Sequence, residues 1–132
     1  SPLETVKEIK EQGGLVSIPH PFDKLRRSVI VPKALKEVLP YADIVEVFNA
    51  RNTFSSANDL AMALAREHGL LMTSVSDSHT LLELGRCYVE IPQFDGTPKG
   101  FMNALTNARL VTRKISPAIH IATTFTKFFQ RF

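Results

Sequence analysis

Leu70-Leu71-Met72-Thr73-Ser74-Val75, followed at once by Ser76-Asp77-Ser78-His79, is the stretch on which the reading of this chain turns. A short apolar run of this kind predicts a strand covered on both faces, as in parallel sheets. Just before it, Leu60, Ala61, Leu64, Ala65 and His68 recur at helical spacing over about 56–67, and Gly69 closes that helix. Just after it stand a carboxylate and an imidazole two residues apart. Residues i and i+2 of an extended chain point to one side, so Asp77 and His79 can face a common point. An oxygen and a nitrogen donor at one point can hold a metal ion. Asp and His beside a strand end are also ordinary loop and capping residues, so the pair needs its surroundings to give it meaning.

The same grammar runs outward from this stretch. Gly14–Ile18 and Ile44–Phe48 read as two earlier strands, and a helix at about 32–39 lies between them. That helix starts on Pro32, where a missing N–H costs nothing. Ser1-Pro2-Leu3-Glu4 opens a helix over about 2–12, and Thr80-Leu81-Leu82-Glu83 is a capping box opening a helical turn. Cys87–Ile91 is a further strand. Thr97-Pro98 and Ser116-Pro117 start helices at about 98–108 and 117–130. Strands alternating with helices define an α/β fold with parallel strands. Residues 1–96 read as its body and residues 97–132 as a basic, Phe-rich helical extension packed on the same unit.

Composition narrows the function classes. At 132 residues, 44% hydrophobic and 22% charged, the chain is the size of one domain and can bury a core. No apolar stretch reaches the roughly 18 residues a membrane span requires. The single Cys87 excludes an internal disulfide and a cysteine cluster for zinc; with no signal peptide apparent, a cytoplasmic location is expected. Cys87 reads as a small core residue, or else as a reactive thiol beside Arg86. The net charge of +3 is uneven, because residues 96–132 hold no Asp or Glu and carry all of it and more. Such a tail is either a solvated basic face or a surface for phosphate-bearing partners or nucleic acid. A stripe through Ala118, Ile121, Ala122, Phe125, Phe128, Phe129 and Phe132 reads as core or subunit contact, or else, beside Lys127 and Arg131, as a membrane-surface face.

Each early strand ends in unusual polar groups, and parallel strands place those ends on one rim. His20 stands between Pro19 and Pro21, which fix the backbone on either side. The second strand holds Glu46, a carboxylate that is costly to bury unless paired or metal-bound, and ends in Asn49 and Arg51. The third delivers Asp77 and His79. His20, Asp77 and His79 together suit zinc, manganese or iron, with magnesium also compatible. Asn49 and Arg51 add donors for an anionic oxygen, phosphate above all. Metal-assisted hydrolysis of a phosphoester uses such a set. His68 and His120 read as structural or surface residues.

Three segments in order, GGLVSIPHPFDKLRR (13–27), ADIVEVFNAR (42–51) and SVSDSHTLLELG (74–85), resemble the C-terminal half of a PHP domain, the polymerase and histidinol phosphatase family. The resemblance covers roughly residues 12–91. It implies the second half of a distorted seven-stranded βα barrel that hydrolyses phosphomonoesters or phosphodiesters with bound divalent metals. By position it implies His20, Asp77 and His79 as metal ligands; Asn49 and Arg51 match motif positions beside the site without an implied ligand role, and their own chemistry makes them the expected substrate-binding residues, with Asp77 and Arg51 the expected catalytic ones. Its substrate would be a small phosphorylated compound or a nucleotide. The family's opening H-x-H motif occurs nowhere in this chain, which opens on Ser1 rather than Met. The expectation is therefore a fragment, inactive alone. The alternative is a non-catalytic scaffold module of the same fold, binding a partner through its basic C-terminus or self-associating through open strand edges.

Overall fold

The computed structural model describes residues 1–23, 29–52 and 54–114. Its centre is a three-stranded parallel sheet in the order β1 (Ser17–Ile18), β2 (Ile44–Asn49), β3 (Leu71–Val75). Helices α1 (Pro2–Glu11), α2 (Pro32–Val38) and α3 (Ser55–His68) fill the chain between and before these strands. Parallel neighbours need such crossovers, and helices on the faces account for strands without polar alternation. Ile44, Val45 and Val47 of β2 are all buried, Val45 completely. The core gathers Val16, Ile18, Leu35, Val38, Val45 and Val47 with Val6 of α1 and Ala65 of α3.

Local chemistry sets the element boundaries. Ser1 caps α1 by accepting from the Glu4 amide at 3.3 Å, and the Glu4 carboxylate reaches back to the N-terminal ammonium at 2.6 Å. The apolar face of α1 then meets α2, and Lys10 Nζ reaches Asp43 Oδ1 at 2.6 Å. Asp43 also accepts from the Val16 amide at 2.7 Å, which ties the entries of β1 and β2 together. Gly69 ends α3 with φ +64, a conformation open to glycine at no steric cost. Along α3, Ala57, Ala61 and Ala65 lie one turn apart and are all buried. Three methyls in a row let the helix lie close against β2.

The β2–β3 register runs Ile44↔Leu71, Val45↔Met72 and Glu46↔Thr73, then shifts so that Phe48 meets Ser74 and Asn49 meets Val75. A shift of this kind re-aims the residues that follow it. It lies three residues from the rim.

Three expectations change. Strand β1 is shorter than Gly14–Ile18, and α2 ends in a 3-10 turn, Leu39–Tyr41, around Pro40. More substantially, the sheet is not wholly parallel in its surroundings. Strand β4 (Tyr88–Glu90) pairs antiparallel with a strand absent from the sequence reading, β5 (Arg109–Val111), which follows α4 (Pro98–Thr106). Hydroxyls on β3 and just beyond it join this pair to the main sheet. Ser74 Oγ donates to the Tyr88 carbonyl at 2.7 Å, and Ser76 Oγ bonds the Cys87 backbone at 2.8 Å. Cys87 is buried beside Arg113, and burial pushes its thiol pKa up, as suits a packing residue. The helix expected at about 117–130 lies outside the described residues. Among those described, no helix is long and apolar enough to cross a membrane.

Candidate metal and anion site at the strand ends

All three parallel strands run the same way, so Pro19-His20, Ala50-Arg51 and Ser76-Asp77 leave the sheet at one rim. That is where α/β sheets place their chemistry. Two rim residues take positive φ without being glycine: His20 at +28° and Asp77 at +50°. Such positions cost of order 1–3 kcal/mol for ordinary residues, less for Asp and His, which visit this region more readily. Asp77 and His79 do come together, His79 Nε2 lying 3.7 Å from Asp77 Oδ1. Extended-strand alternation is not the cause. Strand β3 ends at Val75, and the left-handed turn at Asp77 brings the side chains side by side.

Glu46 sits half-buried at the middle of the rim. Its Oε2 accepts from the His20 amide at 3.0 Å and from Asn49 Nδ2 at 3.4 Å. Burial pushes the Glu46 pKa up, only partly offset by those two donors and by the His20 side chain, and the Asp77 charge pushes it further the same way. Asn49 links the two carboxylates, because its Nδ2 also donates to Asp77 Oδ2 at 3.1 Å. Three residues apart on a regular strand, Glu46 and Asn49 would face opposite sides; the register shift between them lets the bond form. Asn49 is held in turn, with its Oδ1 accepting from the Arg51 amide at 2.9 Å and its own amide donating to Asn58 Oδ1 of α3 at 3.2 Å.

The anion-binding roles expected of Asn49 and Arg51 meet a different arrangement. Asn49 is 1% exposed, and both of its amide hydrogens are directed at carboxylates. Arg51 is buried too, and its Nη1 donates to Glu83 Oε1 in an ion pair whose side chains are 5% and 0% exposed. The physical reason is burial. A guanidinium taken out of water must find a carboxylate nearby, and Glu83 supplies one from a 3-10 turn, Leu81–Glu83.

Glu83 is the residue that sequence reasoning passed over. It was legible only as the end of a capping box, and the box closes in altered form. Glu83 Oε2 accepts from Thr80 Oγ1 at 2.8 Å and from the amide of His79, one residue earlier than the pattern specifies, at 2.9 Å. Burial alone would raise its pKa; Thr80, the His79 amide and Arg51 outweigh that and hold the carboxyl below its ordinary value.

As a metal site the rim is partial. Asp77 and His79 offer a carboxylate and an imidazole, which suit zinc, manganese or iron. Among the described residues no three His, Cys, Asp or Glu side chains are grouped to hold one ion. His20 joins the rim through its backbone bond to Glu46 and does not complete a triad with Asp77 and His79. The donor set therefore fits a corner of a metal centre.

A parallel α/β unit with carboxylates and histidines at the C-terminal ends of its strands is the class that fold and rim define. Comparison with known proteins adds what the chain is similar to. Residues 55–110 match the model of the PHP-associated family. The chain is 35% identical over 111 residues to the uncharacterized protein MJ0417 of Methanocaldococcus jannaschii, covering 77% of this chain and 47% of that one. It is 41% identical over 64 residues to MJ1587 of the same organism, covering 47% of this chain and 34% of that one. The chain thus spans half the length or less of the curated relatives it matches. Among solved structures, PsfC of Pseudomonas syringae superposes with a TM-score of 0.64 at 21% identity, over 97% of this chain and 52% of that one. A candidate metal-dependent phosphoesterase of Bifidobacterium adolescentis gives 0.53 at 22% identity, over 88% and 37%. The family match over residues 55–110 and the fold shared with these structures support a relation to PHP-domain proteins.

Proposed function

We propose that this chain contributes the late part of a divalent-metal centre to a phosphoesterase acting on phosphomonoesters or phosphodiesters. The observation that carries the reading is the Asp77–His79 pair at 3.7 Å at the strand rim, with Asp77 bonded by Asn49. Asp77 serves as a carboxylate ligand and His79 as a neutral imidazole, while His20, at the end of β1 beyond the intervening β2, is not grouped with them and donates to a different part of the same centre. A divalent ion held there supplies Lewis acidity toward a phosphoryl oxygen and lowers the pKa of a water. Asn49 orients Asp77 by fixing one of its oxygens, the kind of outer contact on which ligand geometry depends. Glu46, whose pKa is pushed up, retains a proton to higher pH than an ordinary carboxylate and so limits the negative charge at the rim. With two grouped donors among the described residues, these 132 residues turn over little substrate by themselves.

The test combines binding with turnover. Mn²⁺ titration of the full chain, followed by electron paramagnetic resonance, is expected to show a site that weakens at least tenfold in Asp77→Ala and His79→Ala. Hydrolysis of an activated aryl phosphate is expected to be weak in the 132-residue chain. Mn²⁺ affinity unchanged by both substitutions overturns the proposal; brisk turnover by the 132 residues, abolished in Asp77→Ala, overturns its claim of incompleteness.

A further inference from the structure

Arg51 and Glu83 lie 32 positions apart in sequence, yet they form a buried ion pair at the end of β2. Glu83 divides its two oxygens between two tasks. Oε1 takes the Arg51 guanidinium, and Oε2 takes the His79 amide and the Thr80 hydroxyl. The segment 76–80 has no ladder partner of its own, because β3 stops at Val75 and the 3-10 turn starts at Leu81. Side chains supply much of its hold on the remainder: Ser76 on the Cys87 backbone at one end, Asn49 on Asp77 midway, and Glu83 on His79 and Thr80 at the other, where the Glu83 amide also donates to the Thr80 carbonyl at 3.2 Å. Glu83 in turn is oriented by a cation on a different strand.

We infer that Arg51 and Glu83 are positioning residues, with Arg51 acting through Glu83 to fix the backbone at His79 and so the direction in which its imidazole meets Asp77. The inference rests on the metal-centre reading for its consequence, while the holding itself concerns this chain alone. It replaces the role of anion receptor for Arg51. A guanidinium that is buried and paired with a buried carboxylate would have to abandon that partner to meet phosphate, leaving the carboxylate unpaired at large cost.

The discriminating variant removes the pair without leaving a lone buried charge: Arg51→Met with Glu83→Leu. Exchanging a buried ion pair for apolar residues of similar volume is commonly neutral for stability, so the fold should survive. Amide hydrogen exchange by NMR on the full chain is expected to speed up at His79 by roughly ten- to a hundredfold, the loss of one bond to a charged acceptor. Exchange at Val45 and Ser74, in the interior strands, is expected to stay as it was. Mn²⁺ affinity should fall about tenfold in the same variant. Arg51→Lys, which keeps the cation, should retain more of the His79 protection and more of the affinity than Arg51→Met. A support role confined to stability predicts unchanged Mn²⁺ affinity once stability is preserved, and that result overturns the inference. So does unchanged exchange at His79, or loss of inorganic phosphate binding in Arg51→Met with His79 protection intact. If the wild-type chain binds no Mn²⁺, the metal reading falls, and the exchange measurement still decides whether the pair holds His79.

Discussion

Removing the Glu83 carboxylate alone should be among the most damaging single changes available to this fold. In Glu83→Ala the Arg51 guanidinium stays at a position 5% exposed with its buried carboxylate gone. Breaking a buried pair from one side costs about 3–5 kcal/mol, chiefly through the charge left behind. The His79 amide and Thr80 hydroxyl also lose their acceptor, but His79 is about a third exposed and water can replace much of that contribution. The estimate therefore stays at about 3–5 kcal/mol, against a total stability of about 5–15 kcal/mol for an ordinary domain. In urea, with a slope of about 2 kcal/mol/M, the unfolding midpoint should drop by roughly 1.5–2.5 M with the slope unchanged. Circular dichroism at 222 nm reads this directly. The paired Arg51→Met/Glu83→Leu variant should recover most of the loss, because the buried guanidinium is removed together with its carboxylate. A midpoint shift below about 0.5 M in Glu83→Ala would refute the reasoning, since it would mean that water or its other contacts satisfy Arg51 without Glu83.

Acid dependence separates Glu83 from Glu46. Glu83 titrates below its ordinary value, so its contribution is present above the unfolded-state pKa and is lost as pH falls through the folded one. Glu46 is raised, so its contribution is present at low pH and is lost as pH rises through the folded value. Glu46→Gln, which keeps an oxygen for both the His20 amide and Asn49 Nδ2, should accordingly match or exceed wild-type melting temperature at pH 7 in EDTA. The advantage should fade toward pH 4, and a loss that is greatest at pH 7 would contradict the burial argument. Gly69→Ala should cost about 1 kcal/mol in thermal or urea unfolding, through the left-handed cap of α3 rather than through crowding, because no atom lies within 4 Å of the added Cβ.

What the sequence disclosed was local. The run from α3 through Gly69 into β3 carried period, stop signal and apolar strand together, and each boundary lies within a residue of its expected place. Parallel order followed from alternation, and the shared rim from parallel order. Strand β5 escaped because Arg109-Leu110-Val111 is too short to display a period, and its existence depends on pairing with β4 across α4. The side-chain assignments at the rim fared differently for a related reason. Arg51 advertises a charge at a strand end, but nothing near it in sequence says that Glu83 will be folded over it. Asp77 and His79 were rightly placed together, yet the i, i+2 argument assumed an extended backbone where the chain turns left-handed. Burial and turn conformation are properties of the assembled fold, and those were the two quantities that local reading lacked.

The alanine stripe on α3 has a bearing on the rim that its position would not suggest. Ala57, Ala61 and Ala65 set the distance between helix and sheet, and Asn58 rides on that same helix to reach the Asn49 backbone. Asn49 in turn spans Glu46 and Asp77. The thickness of a layer of methyl groups thereby bears on the spacing of two carboxylates at the far end of that chain of contacts. A larger side chain at Ala61 would act as a shim, lifting Asn58 and retuning the rim from inside while every rim residue kept its identity.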